Sequence, residues 1–148
     1  GMVARLSIRA RVLVWLLALI PAFPIALMLA DSQAPWVFIG AEASPSIVIP
    51  GGRVDAYYRM EAQRDASECA VSVSGTSTDS RGNKWLIPDI VLQYQKGFQT
   101  VALSTAAPMN ADAGPLTISR TARWVCNPLQ QIVPRTTALP ELTVAVKR

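Results

Sequence analysis

The chain has 148 residues, with 14 basic against 10 acidic side chains for a formal net charge of +4, and it contains no histidine. The missing imidazole excludes a Ser-His-Asp or Cys-His nucleophile pair, histidine-ligated zinc and histidine acid–base catalysis. The two cysteines cannot complete a structural zinc site by themselves, so the sequence implies neither a metal nor a small-molecule cofactor.

The first element is an uncharged apolar stretch, residues 12–30, directly behind Arg5, Arg9 and Arg11. As a helix it would measure about 28 Å at 1.5 Å per residue, close to the thickness of the bilayer hydrocarbon. Basic residues, an apolar core and then polar residues follow one another as in an export signal. The core is longer than a usual signal core. Its exit also lacks a small-x-small cleavage site: Met28 stands third before a cut after Ala30, and Pro35 would follow a cut after Ala34. These features predict an uncleaved transmembrane anchor, with a cleaved signal as the alternative. Pro21 and Pro24 would kink the span, which membrane helices tolerate.

The arginine asymmetry predicts orientation. Residues 1–11 stay cytoplasmic and everything after the span is exported to the periplasm of a bacterial inner membrane, since the next basic residue is Arg53. Trp15 and Trp36 fall near the two ends of the span, Trp36 being equally readable as the core residue of a first strand. Gly1 ahead of Met2 reads as a residue left by a tag. Three of the 14 basic residues serve this topology signal, which leaves the exported part nearly neutral. Arg120 and Arg123 with Trp124 are the only basic-aromatic cluster. They are too few for a nucleic-acid footprint, and they read as a solvated strand face.

Residues 31–35 read as a short polar linker and 36–148 as one periplasmic domain. Alternation at period two dominates that domain, and no long stretch keeps helical periodicity. Residues 36–40 and 46–49 read as short strands around a turn at Ala43-Ser44-Pro45, followed by the turn Pro50-Gly51-Gly52. In 53–63, Val54, Ala56, Tyr58, Met60 and Ala62 share one face, the pattern of a half-buried strand. Residues 69–74 point Cys69, Val71 and Val73 inward. The polar run 76–84 reads as a loop; its Asp79 and Asn83 do not match the spacing of a calcium loop. Residues 90–95 and 98–103, joined through Lys96-Gly97, carry the signal of a tight hairpin. A loop at 106–115 leads into 116–126, where Leu116, Ile118, Ala122, Trp124 and Cys126 share a face interrupted only by Arg120. Prolines 128, 134 and 140 break the connection to a last strand at 142–146.

Seven or eight short strands with one pair of cysteines predict an all-β fold, an immunoglobulin-like antiparallel β-sandwich behind one N-terminal transmembrane helix. Cys69 and Cys126 lie in the exported part, where an even count reads as one disulfide. The order Cys69, Trp85, Cys126 echoes the cysteine-tryptophan-cysteine pattern of such domains. It predicts a bridge between the two sheets, covered by Trp85 in a core shared with Trp124.

Two segments carry a resemblance: Pro50-Gly51-Gly52-Arg53-Val54 leading into Tyr57-Tyr58-Arg59 and then residues 65–69, and the closing Arg123-Trp124-Val125-Cys126-Asn127-Pro128-Leu129. With the layout, they resemble small membrane-anchored β-domain proteins encoded by tailed bacteriophages and prophages. Most of those have no assigned function, so the resemblance implies fold and compartment and no catalytic residue.

The expectation is a non-enzymatic, membrane-tethered periplasmic interaction or structural module. Its partner would be a protein of the bacterial envelope, and the loops 76–84 and 106–115 are the first candidates for its contact surface. The alternatives are a small envelope hydrolase using carboxylates alone, with Glu61 and Asp89 as the available acids, and a virion decoration protein. The orientation is testable by fusing compartment-specific reporters to the C-terminus. The periplasm-dependent reporter is expected to be active, and joint replacement of Arg5, Arg9 and Arg11 should mix the two orientations.

Overall fold

The computed structural model describes residues 7–31 and 33–148; Arg5 and Gly1 fall outside them. Helix α1 (Ile8–Ala30) starts four residues before the predicted span, because the Ser7 side chain caps it by accepting the Ala10 amide at 3.3 Å. Arg9 and Arg11 therefore lie within the helix, as exposed side chains. Pro21 and Pro24 are accommodated inside it, and none of its residues is buried by the rest of the chain. A helix apolar on every side and uncovered by protein suits lipid as its solvent. It is long and apolar enough to cross a membrane.

Two sheets follow, packed as a sandwich. The first is formed by β1 (Trp36–Ser44), β3 (Arg53–Ala62) and β6 (Gly97–Ala106), in the order β1-β3-β6. The second contains β2 (Ile47–Val48), β4 (Ala70–Thr78), β5 (Lys84–Val91), β7 (Gly114–Val125), β8 (Arg135–Ala138) and β9 (Leu142–Val146). Its order is β2-β9-β7-β4-β5, and β8 pairs with β7 beside β9. All pairings are antiparallel except the two-residue β2–β9 pairing, which is parallel.

Period-two alternation places the core. Val54, Ala56, Tyr58, Met60 and Ala62 of β3 meet Val71, Val73, Leu116, Ile118, Ala122, Trp124, Val144 and Val146 of the other sheet. Trp36 is a core residue, packed edge-on against Tyr94 at 5.9 Å between ring centroids.

Several expectations are corrected. Residues 90–95 and 98–103 are not a hairpin, because β5 pairs with β4 and β6 pairs with β3, in different sheets. The segment between them crosses the end of the sandwich, where burying Leu92 and Tyr94 outweighs local pairing; Gly97, at φ +115°, turns the chain into β6. The connection broken by prolines 128, 134 and 140 holds one strand that was not expected, β8. Pro134 and Pro140 flank it and cost it no ladder donor. The Cys69–Cys126 disulfide exists, but it staples neighbouring strands of one sheet. Ala70 is registered opposite Val125, so the cysteines form the next rung, with Cα atoms 4.1 Å apart. Trp85 does not cover it. It is half-buried on β5 opposite Ser77, far along β4 from Cys69. Tyr94 takes that position, its hydroxyl donating to the Cys69 carbonyl at 2.9 Å.

Closing a loop across a separation of 57 residues should contribute about 4 kcal/mol in the chain-entropy account. Unreduced peptide mapping should find Cys69 linked to Cys126, and a Cys69→Ala/Cys126→Ala variant should unfold at clearly lower denaturant concentration than the oxidised chain.

Candidate functional site

Three places in the fold hold polar groups in unusual company. The first is the junction of helix and sandwich. The last carbonyls of an α-helix lack intrahelical donors, and here the domain supplies them. Asn127 Nδ2 donates to the Met28 carbonyl at 3.2 Å, Arg135 Nη2 to Leu29 at 3.0 Å, and Gln130 Nε2 to Asp31 at 2.7 Å. Arg135 also sets a cation at the negative end of the helix dipole. Arg64 forms a two-pronged ion pair with Asp31, both contacts at 3.1 Å, and the hydrogen bond to Asp31 raises the Arg64 pKa above its ordinary value.

These donors are themselves fixed. Gln130 is buried and its Oε1 accepts the Cys126 amide at 2.7 Å, while Asn127 Oδ1 caps the 3-10 turn Pro128–Gln131 by accepting the Gln130 amide. Residues 31–35, expected as a linker, are thus held to the domain at both ends, the Pro35 carbonyl accepting the Gln63 amide. Beside the helix end, Ile132 is 79% exposed and Val133 is also exposed.

The second place is a corner at the opposite end of the sandwich. There the two predicted contact loops meet, although β4 takes residues 76–78 and leaves 79–83 as the turn. Buried Asp79 accepts four hydrogen bonds: from the amides of Arg81, Asn83 and Asp112, and from the Asn83 side chain. Ser80 Oγ donates to the Ala113 carbonyl, and Arg81 pairs with Asp112 at 3.4 Å. Burial alone would raise the Asp79 pKa, but the bonds from Asn83, Asp112 and Arg81 hold it below the ordinary value. Its oxygens are occupied in joining two loops.

The third place is a cleft of about 630 Å³ between the open edges of the two sheets, β5 and β6. Trp85, Ile87 and Pro88 wall it on one side; Thr105, Ala107 and Met109 wall it on the other. Arg120 reaches it from β7. The expectation of a solvated strand face fails for this residue, which is only 3% exposed, and holds for Arg123, which is exposed. Alternation puts position 120 inward with Leu116, Ile118, Ala122 and Trp124. Gly75 makes room for it. Gly75 is registered opposite Arg120, and a Cβ there would lie 2.9 Å from Arg120 Cγ. Among the described residues, neither Arg120 Nε nor Nη2 has a hydrogen-bond partner, and no carboxylate pairs with the guanidinium. The Tyr58 hydroxyl, buried on the facing sheet, is also unpartnered. Burial lowers the Arg120 pKa and raises that of Tyr58.

Glu61 and Asp89 are not brought together. Glu61 sits on β3 opposite Val37 and Phe98, and Asp89 is exposed on β5 in the other sheet. The signal for Arg120 was present in the sequence as the one charge on an inward face. The capping roles of Asn127, Gln130 and Arg135 had no sequence signal, since they depend on long-range placement.

No protein-family model matches the chain, and no curated protein does. Among solved structures, it is similar to the C-terminal domain of wzt, with a TM-score of 0.49 at 11% identity, covering 79% of this chain and 76% of that one. It is also similar to Spo0M, a sporulation control protein from Bacillus subtilis, with a TM-score of 0.42 at 5% identity over 78% of this chain and 51% of that one. A third match is the alkylpurine DNA glycosylase AlkC of Pseudomonas fluorescens bound to DNA, with a TM-score of 0.43 at 10% identity over 78% of this chain and 31% of that one.

The depressed Asp79 pKa has a defined consequence for stability. Its contribution is fully present above the ordinary value of 3.8 and is lost as pH falls through the lower folded value. Asp79→Asn should lower the thermal midpoint at pH 7 and flatten its acid dependence below about pH 4, as read by thermal unfolding across pH.

Proposed function

We propose that the chain is a membrane-tethered, non-catalytic binding module whose β-sandwich is displayed on the periplasmic face of a bacterial inner membrane. The observation that carries this reading is the joint: Asn127 and Arg135 donate to carbonyls of the helix's last turn, and Gln130 donates to the carbonyl of the C-cap residue Asp31. A segment destined for removal has no need of such partners, so the joint favours an uncleaved anchor over a cleaved signal. The exposed Ile132 and Val133 lie where the helix leaves the hydrocarbon, and suit the interfacial zone.

The strand order supports an immunoglobulin-like assignment. The order β1-β3-β6 corresponds to strands A-B-E, and β9-β7-β4-β5 to G-F-C-C′ of variable-type domains. On that correspondence the disulfide joins C to F within one sheet, in place of the usual bridge from B to F across the sheets. The scattering of Glu61 and Asp89 gives no support to a carboxylate hydrolase, which needs two acids facing one bond. The resemblance to phage-encoded membrane proteins agrees with this layout, and an envelope protein remains the partner class for the loop corner at 79–83 and 106–113.

Extraction of membranes with alkaline carbonate tests the anchor. The full-length chain is expected to stay in the pellet with its N-terminal segment intact. Recovery of a soluble chain beginning near residue 31 would overturn the reading. A variant with Asn127→Ala, Gln130→Ala and Arg135→Ala should stay in the pellet but become sensitive to protease at 31–35, where the parent chain resists.

A further inference from the structure

We propose that the cleft between β5 and β6 is a binding site for a small soluble amphipathic anion: one carboxylate or phosphate group, seated on Arg120, carrying an apolar body that lies along Trp85, Ile87 and Met109. The proposal rests on the reading of the domain as a binding module and names the ligand class that it would take.

The argument begins with Arg120. A guanidinium carries five N–H donors in a rigid fork and stays charged, so an arginine buried without an acid or acceptors is costly to the fold. Natural interiors satisfy such groups, and those left over call for a partner the chain does not itself supply. Arg120 is 3% exposed with Nε and Nη2 unpartnered, yet it lines a cleft open to solvent. Its burial is prepared by the fold. Gly75 is the cross-strand neighbour that leaves the stem its path, and the β4–β5 pairing shifts register at that point. The Tyr58 hydroxyl adds an unpartnered donor in the same interior. An anion entering from the cleft would meet a fork suited to a planar carboxylate or a phosphate.

The rest of the cleft defines the other half of the ligand. Its volume, about 630 Å³, falls in the range of small-molecule sites. Its walls are mainly apolar, with Ser77, Ser104 and Thr105 as the neutral polar residues among them. No acid lines it, and the Asp55 carboxylate that accepts from the hydroxyl of the lining Ser104 is paired with Arg53. A bare inorganic anion would leave the Trp85 and Met109 walls wet, whereas one bearing an aromatic or alkyl group would cover them.

Position selects a soluble ligand over a lipid of the supporting bilayer. Arg120 lies six residues along β7 from Cys126, next to the helix joint, which is about 20 Å at 3.3 Å per residue. That separation from the joint favours a soluble ligand, and the phosphatidylglycerol arm of the test below decides between the two sources.

The test uses the full chain in nanodiscs of neutral lipid, titrated calorimetrically with 4-phenylbutyrate and phenyl phosphate, and with 4-phenylbutanol as the uncharged control. Saturable binding of at least one anion is expected, with the alcohol at least about tenfold weaker. Arg120→Met should abolish the difference while its thermal midpoint equals or exceeds that of the parent, because an unpaired buried charge has been removed. Met109→Glu, at a position 77% exposed on the rim, should weaken anion binding without disturbing the core, and it serves if Arg120→Met does not fold. Equal binding of anion and alcohol, no binding at millimolar concentration, or anion binding unaffected by these variants would overturn the site. Adding phosphatidylglycerol to the nanodiscs should leave the titration unchanged, and competition by it would overturn the assignment to a soluble ligand. Membrane retention is read separately by carbonate extraction, so a failed titration with an intact pellet rejects the cleft alone.

Discussion

Strand β7 is the constraint on which the rest of this molecule depends. One of its edges is paired along nearly its whole length with β4, and the other is divided between β9 at 114–118 and β8 at 121–124. Its inward positions Leu116, Ile118, Ala122 and Trp124 are buried against the facing sheet, where each large apolar side chain stabilises the fold by roughly 1.5–3 kcal/mol. Because side chains alternate strictly along a strand, a slip of one residue would expose that whole set. The register so fixed also settles the functional geometry. It sends Cys126 to Cys69, brings Asn127 and Gln130 under the helix end, and turns Arg120 inward.

Most of the strand content was legible in the sequence because period-two alternation is a local signal. The faces of β3, β4 and β7 could be read residue by residue, from Val54 to Ala62, from Cys69 to Val73 and from Leu116 to Cys126. Pairing was not local. The segments around Lys96-Gly97 satisfy every rule for a hairpin, yet Leu92 and Tyr94 are better buried by crossing to the other sheet than by pairing with Phe98 and its neighbours. The disulfide was foreseeable from the even cysteine count and from the export that the sequence predicts. Its placement within one sheet follows from the β4–β7 register, which sequence spacing does not encode. Trp85 illustrates the same limit: a tryptophan between two cysteines invited a core assignment, and the residue walls a cleft instead.

The polar residues separate into those that complete the fold and those that it leaves open. Asp79 accepts four donors and ties two loops into one corner; Gln130 bridges the Cys126 amide and the Asp31 carbonyl. Each of these buried groups has its partners in the chain, as stability requires. Arg120 does not, although the backbone opposite it is a glycine that accommodates its stem.

That contrast decides how the arginine is understood. An apolar side chain of similar length at 120 would fill the same space without an unpaired charge, and such replacements are often neutral or stabilising. Packing alone therefore gives no reason for a guanidinium at this position. The disulfide joins the same two strands, β4 and β7, about six rungs from Arg120, and its contribution of roughly 4 kcal/mol is of the order of the penalty for an unpaired buried charge. A strand pair stapled beside the helix joint can carry a destabilising charge at mid-ladder and keep its register. Strand β7 thus divides the work: its Cys126 end holds the domain to the helix, and its middle carries a guanidinium that opens on the cleft between β5 and β6.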